Sequence, residues 1–440
     1  MSPHALPVSA EQTQDDSFSF EKYAITQNGF LPADAPLKVL PDPYYAPWEK
    51  VIQHLPALLK AGKLRSDVDS LPVLSTDKLS TEAEWRRAYV ILTFFTHAYV
   101  WGGEKAEEVL PPAVSVPLLR VSKHLEVPPV ATYAGLNLWN FLSRTDDFAD
   151  LESLESLHTF TGTRDEAWFY LVSVAMEAQG ARIMTDMMNA LESIKTRDYD
   201  TITRALEGLS ANIRKIGALL ERMYEHCDPM VFFYEIRPFL AGSKNMAAAG
   251  LPNGVFYDEG EGRGSWQQLR GGSNGQSSLI QFLDIVLGVE HTSEGNSNPH
   301  ASKAAPNHKA TPAFHQEVRD YMPGPHKRFL EHVTRLGSIR EFAKLPASTP
   351  EQERFREAYQ AATKTMTEFR NKHLQIVTRY IVLPSKRQYN AAKVDLASAS
   401  SVKDKDEQLT GTGGTALMPF LKQTRDETLQ AGQLEQGQRK

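Results

Sequence analysis

The 440-residue sequence lacks several patterns that would each assign a protein to a class. It contains a single cysteine, Cys227, which excludes intramolecular disulfide bonds and metal sites built from several thiolates. Its apolar runs are too short to span a membrane, and the nearest candidate, 88–101, covers about fourteen residues and is typical of a buried core helix. Residues 1–18 have no basic segment followed by an apolar one. We therefore expect no signal peptide, no membrane as a partner, and a soluble cytoplasmic protein.

Neither sign of charge dominates the sequence. Lysine and arginine number 48, aspartate and glutamate number 54, and the net charge is −6. No basic stripe runs along the chain, which argues against nucleic acid as a partner. The length favours about two or three domains, and a hydrophobic content of 41% is enough to fill a sizeable core.

Hydrophobic residues recur with a period near 3.6 over long segments, and few stretches alternate with period two. The sequence therefore predicts an all-α fold. Long helices are expected at 165–192, at 200–226 with Asp200 as N-cap, at 278–289, and at 351–382 before Pro384. An acidic, serine-rich stretch, 143–163, contains the predicted domain boundary. The predicted units are a disordered tail (1–19), a small N-terminal helical domain (20–155), and a larger C-terminal domain (156–440) on which it packs.

Two polar segments, 291–311 and 390–410, are predicted to be flexible loops. The first contains His291, His300 and His308, whose irregular spacing favours incidental placement over a metal site. The second leads to the glycine-rich stretch 411–415. That stretch lacks the following lysine and the preceding strand of a phosphate-binding loop, and its composition is equally typical of a mobile flap over a pocket.

One histidine lies in the apolar stripe of the last predicted long helix. Helical spacing places His373 on the same face as Phe369, Ile376 and Tyr380. An imidazole directed into an apolar interior needs either a hydrogen-bond partner or a metal ion. The local sequence leaves both alternatives open.

Three other segments contain side chains or amides suited to binding. Arg237 follows an aromatic run and precedes a proline, where a guanidinium either binds a carboxylate in bidentate fashion or lies at the surface. The glycine-rich segment 271–278 opens a predicted helix, so it is either an anion or flat-ligand site or a plain linker. Asp284 lies among apolar residues and, if buried, needs a cationic partner such as Arg370; the alternative is an exposed helix edge.

Several motifs, in order along the chain, resemble those of the indoleamine 2,3-dioxygenases. They are LEVPPVATYA (125–134), GGSNGQSS (271–278), MPGPHKRFL (322–330), KHLQIVTRYIVLP (372–384) and GTGGTALMPFL (411–421). The resemblance, which covers roughly residues 20–426, implies an all-helical fold with a haem b cofactor in the C-terminal domain. It also implies a dioxygenase that inserts O2 across the indole double bond of L-tryptophan. The product is N-formylkynurenine, in the first step of the kynurenine pathway and NAD biosynthesis.

The resemblance assigns residues to the cofactor. His373 matches the proximal haem ligand, Arg370 and Asp284 match an arginine–acid pair near a haem propionate, and Ser273 matches a cofactor-binding loop position. His326 competes as an iron ligand, although its Pro-Gly-Pro context indicates a helix start. Cys227 is disfavoured because Asp228 opposes a thiolate beside it.

The resemblance also assigns residues to the substrate. Arg237 matches the arginine that receives the substrate carboxylate, and Phe232 matches an aromatic residue that packs on the indole. The remaining matches in the distal pocket and its closing loops are Phe169, Ser173, Tyr133, Gly272 and Thr412. The sequence departs from mammalian members at Leu136 and Asn137, where those members have a small thiol and an aliphatic residue.

Haem-centred chemistry agrees with the motifs that the sequence lacks. No cluster of metal ligands typical of a hydrolase and no positioned acid–base pair is visible in it. The expected partners are L-tryptophan or a related indoleamine, O2 and a reductant, and the expected state is a monomer. The alternatives are a myoglobin-like oxygen carrier, a low-activity dioxygenase for another indole, and a haem-free helical interaction module.

Overall fold

Helices form most of the regular structure in the computed structural model, which describes residues 18–291, 314–387 and 417–434. The α-helices in these residues are α1 (Ala46–Gln53), α2 (Leu55–Lys60), α3 (Leu64–Asp69), α4 (Glu82–Trp101), α5 (Pro112–Leu125), α6 (Arg164–Ala181), α7 (Met184–Thr196), α8 (Tyr199–Glu221), α9 (Met223–His226), α10 (Pro229–Val231), α11 (Arg237–Leu240), α12 (Ser278–Leu287), α13 (Phe314–Arg319), α14 (Gly324–Leu336), α15 (Ile339–Ala343), α16 (Pro350–Val377) and α17 (Leu417–Ala431). π-Helical turns occur at Ala134–Leu138, Phe232–Ile236 and Thr378–Val382. The all-α prediction is confirmed.

Short strands, which the sequence did not predict, supplement the helices. They are β1 (Val109–Leu110), β2 (Phe141–Ser143), β3 (Leu154–Ser156), β4 (Val255–Gly260) and β5 (Arg263–Gln267). β4 and β5 form an antiparallel hairpin, β1 runs parallel to β4, and β2 pairs antiparallel with β3. The hairpin escaped detection because β5 is exposed along most of its length and has no alternation of buried and exposed positions.

Side-chain caps set the starts of the helices that matter most for the site. The Thr163 hydroxyl accepts a hydrogen bond from the Glu166 amide (3.3 Å) and starts α6. The Ser277 hydroxyl caps α12 in the same way, and Thr349 caps α16. Such caps satisfy amides that have no partner within the helix. They fix where each helix enters the core.

The predicted helix 165–192 is wrong as a single element, because α6 ends at Ala181 and α7 begins at Met184. The break follows Gly180, where a Cβ atom would lie 2.2 Å from Cδ2 of Leu279. Glycine permits this close approach of α12, and it also weakens the helix by about 1 kcal/mol relative to alanine.

The helix predicted at 200–226 also differs. Asp198 and not Asp200 is the N-cap, since its Oδ1 accepts from the Thr201 amide at 3.0 Å. The helix ends at Glu221, and α9 follows separately. The last predicted long helix is α16 continued by the π-turn Thr378–Val382 as far as the turn at Pro384.

α16 is central to the packing of the C-terminal half. It lies along α8 and against α17, and α8 also packs on α6 and α7. A single hydrophobic cluster contains residues from Tyr23 to Leu434, including the buried helix α4 predicted at 88–101. The predicted domains at 20–155 and 156–440 therefore share a core, and their division stays a prediction. Among the described helices, none is both long and apolar enough to cross a bilayer.

Candidate functional site

A large cavity, called the cavity below, lies between α6, α8, α12, α16 and α17. The π-turn Phe232–Ile236 and the loop before α12 complete its wall. Its open volume, including its mouth, is about 1720 Å³. Its lining is mostly apolar with a small number of polar and charged side chains, as is usual for a ligand-binding cavity.

The structure brings most of the predicted site residues together at the cavity. The residues of the prediction that line it are Tyr133, Phe169, Ser173, Phe232, Arg237, Gly272, Ser273, Asp284, Arg370 and His373. Thr412 lies outside the described residues, as do His300 and His308. Leu136 and Asn137 are not part of the lining. A Cβ atom at Gly272 would lie 2.4 Å from Cδ1 of Leu136, which places Leu136 directly behind the loop.

His373 faces the cavity from α16. The accessible part of its side chain borders this internal space, and the rest is enclosed by the protein. Burial, followed by the nearby charge of Arg370, lowers the pKa of His373 to about 4. The imidazole is therefore neutral at physiological pH, which is the state that binds a metal ion.

Arg370, one turn before His373, forms a buried ion pair with Asp284 of α12. The Arg370 Nη2 atom lies 2.6 Å from both carboxylate oxygens of Asp284. The two side chains are 12% and 6% exposed. The buried Nε of Arg370 has no hydrogen-bond partner in the described part of the chain. This N–H group can donate a hydrogen bond to an anionic group at the cavity wall.

The ion pair continues to His291, whose placement the sequence reasoning missed. His291 Nε2 lies 3.1 Å from Asp284 Oδ2, and its Nδ1 lies 2.8 Å from Glu427 Oε2 on α17. His291 therefore has specific ion-pair partners, although no group of three or more such side chains in the described residues is arranged to hold a metal ion. Nothing in the local sequence indicated these partners, because Glu427 is 136 residues away.

Arg237 is fully buried at the start of α11. Its guanidinium lies 5.4 Å from the centre of the Phe233 ring, and the adjacent aromatic wall consists of Phe232 and Phe169, with ring centres 4.9 Å apart. Burial lowers the pKa of Arg237 to about 10, so the group remains cationic at neutral pH. A buried cation beside flat rings suits a ligand with a carboxylate and an aromatic part.

Glu177 of α6 is a buried cavity residue that the sequence reasoning also missed. Its Oε1 accepts hydrogen bonds from Tyr133 Oη (3.0 Å) and Ser277 Oγ (2.6 Å). Its Oε2 is buried without a partner among the described residues. Burial raises the pKa of Glu177 to about 7, although both hydrogen bonds lower it in part. The only sequence signal was a lone acid in the apolar stretch VSVAMEA.

The competing ligands lie elsewhere. His326 is buried in the first turn of α14, with its ring 5.0 Å from Phe30, and it does not line the cavity. Burial lowers its pKa to about 3. Cys227 is also buried, and burial followed by the charges of Asp165 and Asp228 raises the pKa of its thiol. Neither side chain is placed to bind a group in the cavity.

The sequence profile of the family described as Indoleamine 2,3-dioxygenase matches residues 19–431. An indoleamine 2,3-dioxygenase of Saccharomyces cerevisiae is 41% identical over 433 residues, which cover 93% of this chain and 92% of that protein. The chain belongs to the indoleamine 2,3-dioxygenase family. A 6-hydroxytryptophan 2,3-dioxygenase of Fusarium equiseti is 37% identical over 416 residues (94% and 98% coverage). Indoleamine 2,3-dioxygenase 2 of Homo sapiens is 32% identical over 420 residues (94% and 95%).

Membership of the indoleamine 2,3-dioxygenase family confirms the predicted class of enzyme, an oxidoreductase of the dioxygenase type. The residues around the cavity fit the haem of this family. A neutral imidazole faces the cavity, the buried Arg370 Nε is available to an anionic propionate, and most of the remaining wall is apolar. Within the described residues, no group of three or more acidic, histidine or cysteine side chains is arranged to hold a metal ion. A single axial histidine is what a haem site requires.

Proposed function

We propose that this dioxygenase binds haem b through His373 and converts L-tryptophan to N-formylkynurenine. The observation that carries the proposal is the position of His373 at the wall of an apolar cavity, one helical turn from the buried Arg370–Asp284 pair. When bound as ferrous haem, the cofactor supplies the O2 chemistry. This reaction is the first step of tryptophan catabolism by the kynurenine pathway.

The protein's own contribution is binding and orientation. Arg237 receives the substrate carboxylate through charge-assisted hydrogen bonds, which are stronger in a buried site than in water. Phe232 and Phe169 pack against the indole, with Ser173 on the same wall. Positioning the indole before reaction reduces the entropy cost of the chemical step.

The loop before α12 closes one side of the site. A Cβ atom at Gly272 would also lie 3.0 Å from the Ala131 carbonyl oxygen, so the loop lies flat against the cavity wall. Ser273 accepts a hydrogen bond from the Gly275 amide at 3.2 Å, which fixes the turn into α12. We assign Ser273 to the cofactor and Gly272 and Tyr133 to the substrate, and Thr412 to the substrate on sequence alone.

The assignment of partners follows from the same chemistry. O2 and an indoleamine are the reactants, and a reductant is needed to keep the iron ferrous. We propose that the enzyme acts as a monomer in the cytoplasm.

The deciding experiment is the visible spectrum of purified protein with and without L-tryptophan, combined with an assay for N-formylkynurenine. We expect a haem spectrum and product formation in the wild type. His373→Gly should lose stoichiometric haem binding, and added imidazole should restore it by occupying the vacated ligand position. His326→Gln is the matched control, because His326 is a buried histidine outside the cavity. This variant should retain the haem spectrum and product formation. A wild-type haem spectrum in the His373→Gly variant without imidazole would overturn the assignment.

A further inference from the structure

Four ionisable side chains from α12, α16 and α17 and from the segment after α12 form a buried network beside the cavity. Asp284 is bound on one side by Arg370 and on the other by His291, and His291 also contacts Glu427. Each of the four side chains is at most 12% exposed. Buried ionisable groups remain charged when their charges are balanced within the cluster.

Charge balance determines the protonation of His291. Arg370 carries one positive charge, whereas Asp284 and Glu427 carry two negative charges between them. The imidazolium form of His291 makes these four side chains neutral together, and this form donates to both carboxylates at once. Burial lowers the pKa of His291, but Asp284 and Glu427 outweigh this effect and raise it above the ordinary value.

The same network joins α17 to the rest of the protein. The N-terminal half of α17 contributes Leu417, Phe420 and Thr424 to the cavity wall. Its C-terminal end lies against α16, where the Tyr359 hydroxyl is 3.2 Å from the Ala431 carbonyl oxygen and 2.8 Å from that of Leu287. The contact of His291 with Glu427 lies between these two parts.

We propose that His291 is a positioning residue for the cofactor, which clamps Asp284 to Glu427 and thereby holds both the Arg370–Asp284 pair and α17 against the cavity. This rests on the proposed haem function, since Arg370 is assigned there to a propionate. The imidazolium forms an ion pair with Asp284, so that the Arg370 guanidinium can also pair with a second anion. Without it, a propionate beside Arg370 would compete with Asp284 for the same guanidinium.

The clamp predicts a direction for the pH dependence. A histidine with a raised folded-state pKa contributes stability that is complete below the unfolded-state pKa and is lost as pH rises through the folded value. We therefore expect haem loss to accelerate above neutral pH. Within the described part of the chain, the charged groups facing His291 are Asp284 on α12, Arg370 on α16 and Glu427 on α17, and the charge of Arg319 on α13 also acts on Asp284.

Glu177 also lines the cavity and has a raised pKa, so the wild-type profile alone does not isolate His291. The test therefore compares haem transfer to excess apomyoglobin between pH 6 and pH 9 for the wild type, His291→Gln and Glu427→Gln. Both variants should lose haem at least about tenfold faster than the wild type at the acidic end, because removing one partner of a buried pair leaves the other charge uncompensated. The difference should shrink as pH rises.

His124→Gln is the matched control. His124 also pairs with a carboxylate, Glu82, at 2.6 Å, but the two side chains are 37% and 59% exposed. An exposed pair contributes little, so this variant should follow the wild-type profile. A double-mutant cycle should show coupling between His291 and Glu427. Equal haem-loss rates in the wild type and His291→Gln across the pH range would refute the proposal.

Hydrogen exchange of α17 amides in the haem-free protein separates this proposal from the haem assignment. His291→Gln and Glu427→Gln should increase exchange in α17 below neutral pH, whether or not the iron ligand is His373. Unchanged α17 exchange would refute the clamp, whereas a wild-type haem spectrum in His373→Gly would refute the proposed function alone.

Discussion

Replacing Arg237 with alanine is expected to lower kcat/KM for L-tryptophan about ten- to a hundredfold while leaving the haem spectrum unchanged. The guanidinium is fully buried, and its pKa of about 10 keeps it charged at neutral pH. A charge-assisted hydrogen bond in such a place contributes roughly 1.5–3 kcal/mol. At about 1.4 kcal/mol per decade, that energy sets the expected factor.

The assay compares L-tryptophan with tryptamine, which lacks the carboxylate. Arg237→Ala should affect tryptamine turnover much less, because Arg237 has no anion to bind in that substrate. Arg237→Lys keeps a positive charge but not the planar bidentate geometry. Its kcat/KM for L-tryptophan should therefore lie between those of the wild type and Arg237→Ala. Equal losses for both substrates would mean that Arg237 acts through folding or haem placement, and the reasoning would be wrong.

Three other variants test the structure. Single replacements of Asp284 by Asn and of Arg370 by Met should each weaken the free energy of haem binding by about 3–5 kcal/mol. Strictly additive effects in the double variant would show that the pair does not act as a unit. Glu177 has a folded-state pKa of about 7 against an ordinary value of 4.5. Its ionisation therefore lowers the free energy of unfolding as pH rises through this range. Glu177→Gln should therefore gain stability relative to the wild type between pH 5 and pH 7 in denaturant titrations, and a constant difference would contradict the raised pKa. Gly180→Ala should destabilise the fold by about 1–3 kcal/mol in thermal unfolding, whereas Gly208→Ala, exposed on α8 with open space around it, should be neutral or stabilising.

Features that depend on a single helix were predictable from the sequence. The apolar stripe around His373 fixed the register of α16, and the structure places His373 and Arg370 at one cavity as expected. The buried character of α4 followed from its composition. In each case the hydrophobic pattern within one segment contains the information.

Features that depend on two distant segments were not predictable in this way. The partnership of His291 and Glu427 exists only because α17 returns across α16, far along the chain. Glu177 was hidden because α6 is buried on most sides, so periodicity does not show which face meets the cavity. The need for glycine at position 180, just before the break, depends on the approach of Leu279 from another helix. Tertiary packing overrides local preference at such points.

The π-turn Phe232–Ile236 has a consequence for how this site tolerates change. Residues five apart in an α-helix point about 140° away from each other, at 3.6 residues per turn. The π-turn closes a hydrogen bond from the Arg237 amide to the Phe232 carbonyl oxygen and brings both side chains to the cavity. The turn thus holds one residue more than a regular helix would. Converting the turn to ordinary helix at unchanged length would rotate Arg237 about 140° away from Phe232, whereas deleting one of the four residues between them would leave the pair on one face of the helix.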